Sequence, residues 1–247
     1  MKVHLPRTVF ACALAVLVAA AGPLIAAAGP PGVQQTVLAD EDQRTDLEEH
    51  AVDELLAVVT KERPISPLDY EPDDLATWPG TDYRIRAEVR DQLEAMFAAG
   101  EDAGIGLRLI SAYRSYETQA GTYDWWLRNY GRAEADATSA RPGHSEHQTG
   151  LAVDLDDTIG ACYLDRCFGD TDAGRWVAAH AHEFGFVISY PEGAREATGY
   201  TYEPWHIRYV GPQVARDMHA RGIALLQDYV GLPASLVRIG ELLGSGG

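Results

Sequence analysis

The stretch Ser145-Glu146-His147-Gln148-Thr149-Gly150-Leu151-Ala152-Val153-Asp154 places a histidine and an aspartate on either side of a glycine. From Leu151 onward, apolar residues alternate with small or acidic ones, which is the period-two pattern of a half-buried strand. Asp154 therefore projects from the face opposite the leucines and the valine, and Gly150 permits a sharp bend after His147. An imidazole and a carboxylate brought together in this way are suitable zinc ligands. A buried Asp–His pair without a metal is the alternative that this stretch leaves open.

A second segment, Tyr202-Glu203-Pro204-Trp205-His206-Ile207-Arg208-Tyr209-Val210, predicts another strand. Pro204 keeps Glu203 out of helical conformation, and aromatic or apolar residues then alternate with His206 and Arg208. His206 is therefore a candidate third ligand, and Glu203 is close enough to it in the chain to act beside a metal. Two histidines and one aspartate leave a fourth zinc position open, which is typical of a catalytic site.

The two segments carry a resemblance to a known family. The pattern Ser145-x-His147-x-x-Gly150-x-Ala152-x-Asp154, followed by Glu203-Pro204-Trp205-His206, resembles the zinc D-alanyl-D-alanine carboxypeptidases of the vancomycin-resistance type. Residues 111–119 (SAYRSYETQ) and 61–65 (KERPI) match further family segments, and all four pieces occur in family order. The similarity extends from about Lys61 to about Val230.

The fold class expected is α+β, with a small antiparallel sheet that carries the zinc site and is flanked by helices. Helical and strand patterns follow one another without the regular alternation of a parallel sheet, which favours this class. The resemblance implies the same architecture, shared with the hedgehog signalling domain and related D-Ala-D-Ala peptidases.

The activity implied is a zinc-dependent carboxypeptidase that removes the C-terminal D-alanine from peptidoglycan stem peptides. Zn²⁺ would be held by His147, Asp154 and His206, and Glu203 would be the general base for attack by a zinc-bound water. Specificity for a D,D or an L,D bond stays open. The alternatives are a peptidoglycan endopeptidase and a catalytically inactive, zinc-containing wall-binding module.

A carboxypeptidase must also bind the free carboxylate of its substrate. Arg114 follows a predicted strand, and a guanidinium can hold a carboxylate through two parallel hydrogen bonds. A surface salt bridge is the alternative role for this arginine. By the resemblance, Ser115, Gln119 and Ser145 help to shape the substrate site.

The chain divides into four expected regions. Residues 1–28 have the charged start, apolar core and small-residue ending of a secretory signal, with an uncleaved anchor as the alternative. Residues 29–60 form a linker and an acidic amphipathic helix, residues 61–230 the zinc carboxypeptidase domain, and residues 231–247 a C-terminal tail. The protein is therefore expected on the cell-wall side, secreted or anchored by its N-terminal segment.

Composition limits the partners. The formal net charge of −17 and pI of about 4.7 exclude the basic footprint of a nucleic-acid-binding protein. The expected partner is the stem peptide, with membrane contact only if the N-terminal segment is uncleaved, and the protein is expected to be a monomer. Cys162 and Cys167 predict a disulfide in an exported protein, with a zinc role as the alternative.

The remaining patterns predict the elements around the site. Helices are expected over residues 84–100, 116–130, 172–184 and 212–230, strands over 105–110 and 185–190, and loops over 131–143 and 191–201. In the second helix, Tyr123, Trp126 and Leu127 are expected to face the core. A sugar-stacking platform is the alternative role for these aromatic residues.

Overall fold

The computed structural model describes residues 55–232. The expected signal segment and nearly all of the linker, acidic helix and C-terminal tail lie outside this range. The predicted acidic helix enters it only at residues 55–60, and these are not helical. Instead Leu56 and Val59 bury their side chains against the folded region. Within the described residues, no helix is long and apolar enough to cross a membrane.

The central element is a four-stranded antiparallel sheet, which confirms the predicted arrangement. Its spatial order is β3 (Leu107–Ser111), β4 (Ala152–Asp157), β6 (His206–Tyr209) and β5 (Phe186–Ile188). A separate antiparallel pair consists of β1 (Leu75–Thr77) and β2 (Arg84–Arg86). The four-stranded sheet thus joins segments that are far apart in the chain, whereas the small pair is local.

Strand β4 is buried on both faces, so the prediction of a half-buried strand is wrong. One face places Leu151, Val153 and Leu155 in the main hydrophobic core. The other carries Ala152, Asp154 and Asp156, which are also buried. The polar face that the alternation assigned to solvent is covered by side chains: His147 and His206 contact Asp154, and Arg108 contacts Asp156.

The helices pack around this sheet. Their bounds are α1 (Ala87–Asp102), α2 (Tyr116–Tyr130), α3 (Arg132–Thr138), α4 (Asp172–His180), α5 (Arg195–Thr198), α6 (Pro212–Arg221) and α7 (Leu226–Tyr229). Short 3₁₀ turns cover Glu146–Thr149, Arg166–Asp170 and Ala181–Phe184. The bounds of α2 agree with the sequence prediction.

Three helical boundaries differ from the predictions for physical reasons. The first helix starts at Ala87 rather than residue 84 because Ile85 pairs with Ala76 in the small sheet. The last long helix ends at Arg221, since Gly222 adopts a left-handed conformation that stops it. The 172–184 helix ends at His180 and tightens into a 3₁₀ turn.

Two predicted loops contain short helices. Residues 131–143 include α3, and residues 191–201 include the single turn α5. Both segments are rich in polar residues, so their sequences gave no clear apolar period. The predicted disulfide between Cys162 and Cys167 is present.

Candidate metal centre and cleft

The register of the sheet brings Asp154 and His206 together. The two residues are direct cross-strand partners on β4 and β6, and Ser111 pairs with Asp154 from β3. Directly opposed residues in an antiparallel pair project their side chains to the same face. His206 Nδ1 accordingly lies 3.1 Å from Asp154 Oδ1, although 52 residues separate them in the chain.

His147 reaches the same point from the 3₁₀ turn that precedes β4. Gly150 ends this turn with a φ of +68°, and a Cβ there would lie 2.9 Å from Arg86 Cγ. The left-handed backbone conformation and the lack of space for a Cβ therefore both require glycine at the bend expected here. His147 Nδ1 lies 2.9 Å from the carbonyl oxygen of Ala112, so it donates, and Nε2 faces Asp154 Oδ2 at 3.2 Å.

The three predicted ligands form one buried group. One ligand atom from each of His147, Asp154 and His206 lies within 4.8 Å of the other two. One nitrogen of each imidazole is fixed by a hydrogen bond to a group outside the site, so the lone pair of the other nitrogen points at the Asp154 carboxylate. Three acceptor groups that face one another in this way require a cation between them. The donor set therefore fits a metal ion, and two imidazoles with one carboxylate suit zinc.

The pKa shifts of the three ligand residues also indicate that this site favours a positive charge. Burial alone would lower the pKa of His206, but its hydrogen bonds to Asp154 and Glu146 raise it to about 10. Burial lowers the pKa of His147, and the attraction of Asp154 only partly opposes this. Asp154 keeps a strongly lowered pKa, since the two histidines outweigh its burial. A metal ion in this position replaces the proton of His206.

Behind His206 lies a buried ionic network that sequence reasoning missed. Glu146 Oε2 lies 2.9 Å from His206 Nε2 and accepts a 2.6 Å hydrogen bond from Ser189. Arg208 lies 3.4 Å from the other carboxylate oxygen and donates to the backbone carbonyls of Leu55 and Ala57. Burial alone would raise the pKa of Glu146, but His206 and Arg208 lower it to about 2. The available signal was the acidic residue directly before His147.

Glu203 lines the same cleft as the three ligands. Its backbone carbonyl accepts a hydrogen bond from the amide of His206, so the turn at Pro204 couples the two residues. Burial raises the pKa of Glu203 to about 7, against the attraction of His206 and Lys61. The Lys61 ammonium lies 4.2 Å from the centre of the Tyr200 ring. A carboxyl with this pKa can take up and release a proton near neutral pH.

The structure separates the predicted substrate residues into two groups. Arg114 and Ser145 line the cleft above the metal ligands. Gln119 is fully buried behind Arg114, from which it accepts a 2.9 Å hydrogen bond, while its amide donates to Ser139 and to the carbonyl of Ala140. Ser115 caps α2 by accepting from the amide of Thr118. Gln119 and Ser115 are thus placed to orient Arg114 and the start of α2.

The cleft has a volume of about 490 Å³. The three metal ligands, Glu203 and Arg114 all line it. Its rim includes Trp126 from α2 and Leu164 from the loop that the disulfide closes. This volume is within the range of small-ligand sites. Several residues of an extended peptide can enter it.

Comparison with known proteins gives consistent matches. The family profile described as VanY, D-alanyl-D-alanine carboxypeptidase, matches residues 82–212, more than half of the chain. A putative carboxypeptidase, YodJ, of Bacillus subtilis is 38% identical over 180 residues, which cover 69% of this chain and 65% of that protein. The chain therefore spans just under two thirds of this relative.

Solved structures also resemble this one, and two of them illustrate the similarity. An LD-carboxypeptidase, LdcB, shares 38% sequence identity at a TM-score of 0.66, with 71% of this chain and 85% of that chain covered. The vancomycin-resistance D,D-pentapeptidase VanY, solved as a mutant in complex with Zn(II), shares 29% identity at a TM-score of 0.61. That match covers 71% of this chain and 98% of the other.

Proposed function

Because the chain belongs to the VanY family of D-alanyl-D-alanine carboxypeptidases, we propose that it removes the C-terminal D-alanine from peptidoglycan stem peptides with the help of zinc. The observation that carries the proposal is the convergence of His147, Asp154 and His206 in a cleft that also contains Glu203 and Arg114. A metal site alone would not indicate a peptidase. A metal site beside a carboxyl with a pKa near 7 and a guanidinium supports hydrolysis of a bond next to a free carboxylate.

The metal would be held by Nε2 of His147, Nδ1 of His206 and the carboxylate of Asp154. When bound there, zinc acts as a Lewis acid toward the scissile carbonyl and activates water for attack. Glu203 accepts the proton of the attacking water on its carboxylate. It then delivers that proton to the amide nitrogen of the scissile bond, so that D-alanine leaves as an amine.

Arg114 supplies the specificity for a chain terminus. Gln119 accepts from Nη1 at 2.9 Å and Ser111 accepts from Nη2 at 3.2 Å, so the guanidinium plane is fixed by protein contacts. A fixed planar fork binds a carboxylate at lower entropic cost than a mobile one. We propose that Ser145, which lines the same cleft, contacts the substrate backbone.

The region proposed for catalysis is residues 61–230, preceded by a signal segment at residues 1–28 and by the linker and acidic segment at residues 29–60. A signal segment supports a location on the cell-wall side, where the substrate lies, and we propose that the enzyme acts there as a monomer.

The experiment is mass spectrometry of purified pentapeptide and tetrapeptide muropeptides after incubation with the zinc-loaded protein. Loss of one D-alanine from the pentapeptide indicates D,D activity, and loss from the tetrapeptide indicates L,D activity. Cross-linked dimers included in the same mixture report endopeptidase activity if they are cut into monomers. The Glu203→Gln variant is the matched control without activity. If the unmodified protein also leaves the muropeptides unchanged, the proposal is wrong and an inactive zinc-containing module is favoured.

A further inference from the structure

The C-terminal half of α2 exposes a group of aromatic rings, which we call the α2 aromatic cluster: Trp125, Trp126 and Tyr130. The two indole rings lie 5.1 Å apart, and Tyr130 lies 5.7 Å from Trp125 and 5.1 Å from Trp126. Trp125 is 49% exposed and Tyr130 is 58% exposed. Of the three residues predicted to face the core, Tyr123 is buried, whereas Trp126 and Leu127 are only half-buried.

The cluster is continuous with the cleft. Trp126 forms part of the cleft wall together with Thr122, one helical turn earlier on α2. Trp125 and Tyr130 contact Trp126 and are exposed outside the cleft, so they continue the aromatic surface of that wall. A ligand that fills the cleft and projects beyond Trp126 therefore meets these two rings.

The surroundings of the cluster are polar. Asp124, Arg128 and Asn129 are exposed residues of the same helix segment, and the Asn129 amide donates to the carbonyl oxygen of Trp125. Flat apolar faces with charged and amide groups at their edges suit a ligand that has an apolar face and polar edges. A sugar ring has this character, since its C–H bonds lie on its faces and its hydroxyl groups on its rim.

We propose that the α2 aromatic cluster binds the glycan to which the stem peptide is attached. The inference rests on the proposed function, because it is the stem peptide in the cleft that connects the metal centre to a sugar. A stem of four residues spans at most about 14 Å when extended. Arg114 and Trp126 line the same cleft, so a peptide whose C-terminus lies at Arg114 can bring its sugar to Trp126.

Two other occupants fit the cluster less well. A bilayer would have to accept Asp124 and Arg128 close to its apolar region, which is costly. A second copy of this chain would bring together two proteins of formal charge −17. Both alternatives are outcomes of the test.

The first measurement does not depend on cleavage. The full protein is titrated with a peptide-free oligosaccharide of N-acetylated amino sugars, and binding is followed by calorimetry and by tryptophan fluorescence. Trp125→Ala is expected to weaken binding about tenfold, the typical effect of removing one contacting tryptophan. The matched control is Tyr163→Ala, since Tyr163 is 57% exposed, much as Tyr130 is, but lies outside the cluster.

No binding of the oligosaccharide by the unmodified protein would overturn the inference. Binding only to phosphatidylcholine vesicles, or concentration-dependent dimerisation lost in Trp125→Ala, would overturn it as well.

The second measurement asks whether the substrate uses the site. The ratio of kcat/KM for a disaccharide-linked stem peptide to that for the free peptide is expected to fall about tenfold in Trp125→Ala and to stay unchanged in Tyr163→Ala. An unchanged ratio in Trp125→Ala would overturn the inference. If neither substrate is cut, the proposed function fails, and the oligosaccharide titration alone then decides whether the cluster binds a glycan.

Discussion

Glu146 Oε2 lies 2.9 Å from Nε2 of His206, on the side of the imidazole opposite Asp154. This contact fixes the tautomer, because a proton held on Nε2 leaves the lone pair of Nδ1 directed at Asp154. Carboxylates behind metal-binding histidines orient the ring and increase its basicity. Glu146 is itself held by Ser189 and by the buried Arg208, so the orientation of His206 depends on the whole network.

We expect Glu146→Ala to weaken zinc affinity by about 10- to 100-fold, the usual effect of removing such a partner. Glu146→Gln should weaken it less, since its amide oxygen still accepts from Nε2 while the negative charge is lost. Competition with a chromophoric chelator measures the affinity directly. Ser189→Ala is the control that removes a hydrogen bond to Glu146 but leaves its contact with His206, and its effect should be smaller. Equal zinc affinity in Glu146→Ala and the unmodified protein would rule out the positioning role.

Glu203→Gln should retain zinc and lose most of the rate, because the amide cannot accept the proton of the attacking water. General acid–base groups contribute typically 10²- to 10⁴-fold to a rate, so a loss of about this size is expected. Metal analysis and single-turnover rates on the same preparation separate the two effects. If Glu203→Gln is as poor in zinc as His206→Ala, Glu203 belongs among the ligands.

The pKa of Glu203 also predicts a pH dependence. Burial raises it to about 7 in the metal-free protein, and a bound cation nearby favours the carboxylate and lowers it. The protonated form cannot act as a base, so kcat/KM should rise with pH and level off above the pKa of the loaded enzyme. NMR titration of the Glu203 side chain should find a lower pKa with zinc than without it. A pKa that does not change on zinc binding would place Glu203 away from the metal.

Arg114→Ala should lower kcat/KM by a factor that corresponds to about 2–5 kcal/mol, while zinc content is unchanged. Arg114→Lys should recover part of the loss, since an ammonium restores the charge but not the planar fork. Arg108→Ala is the matched control, because Arg108 makes an ion pair with Asp156 in the same sheet and does not line the cleft.

Amidation of the substrate C-terminus tests the same contact from the other side. It should slow the unmodified enzyme by a similar factor and add little to the loss in Arg114→Ala, since both changes break one interaction. Equal rates on the amide and the free acid in the unmodified enzyme would favour the endopeptidase alternative.

The disulfide should stabilise the loop that carries Leu164 to the cleft. Cross-linking so short a loop adds roughly 2 kcal/mol on the chain-entropy model. Replacing both Cys162 and Cys167 by serine should therefore lower the free energy of unfolding by about this amount. The measurement is chemical denaturation, and alkylation without reduction should label neither thiol in the unmodified protein. Because Leu164 lines the cleft, the double variant should also raise KM more than it lowers kcat.

The sequence determined those features that depend on neighbouring residues. The period-two alternation placed Asp154 and His206 on the polar faces of two strands, and the bounds of α2 follow from Ser115 as its cap and Gly131 at its end. The motif spacing also predicted His147 and Glu203 as candidate site residues, and both line the cleft that contains Asp154 and His206. The predicted disulfide spans only five residues, so it too was accessible from local sequence.

Tertiary structure alone decided how these segments meet. The pairing of Asp154 with His206 depends on hydrogen bonds between strands 52 residues apart, and no local pattern specifies that register. The same register buries the polar face of β4 and encloses Glu146, which the sequence presented as an ordinary acidic residue. Conversely, the rings of Trp125 and Tyr130 remain exposed because no other element of the described region covers that end of α2. Burial is a property of the surroundings that distant segments provide, so a residue's own sequence neighbours do not determine it.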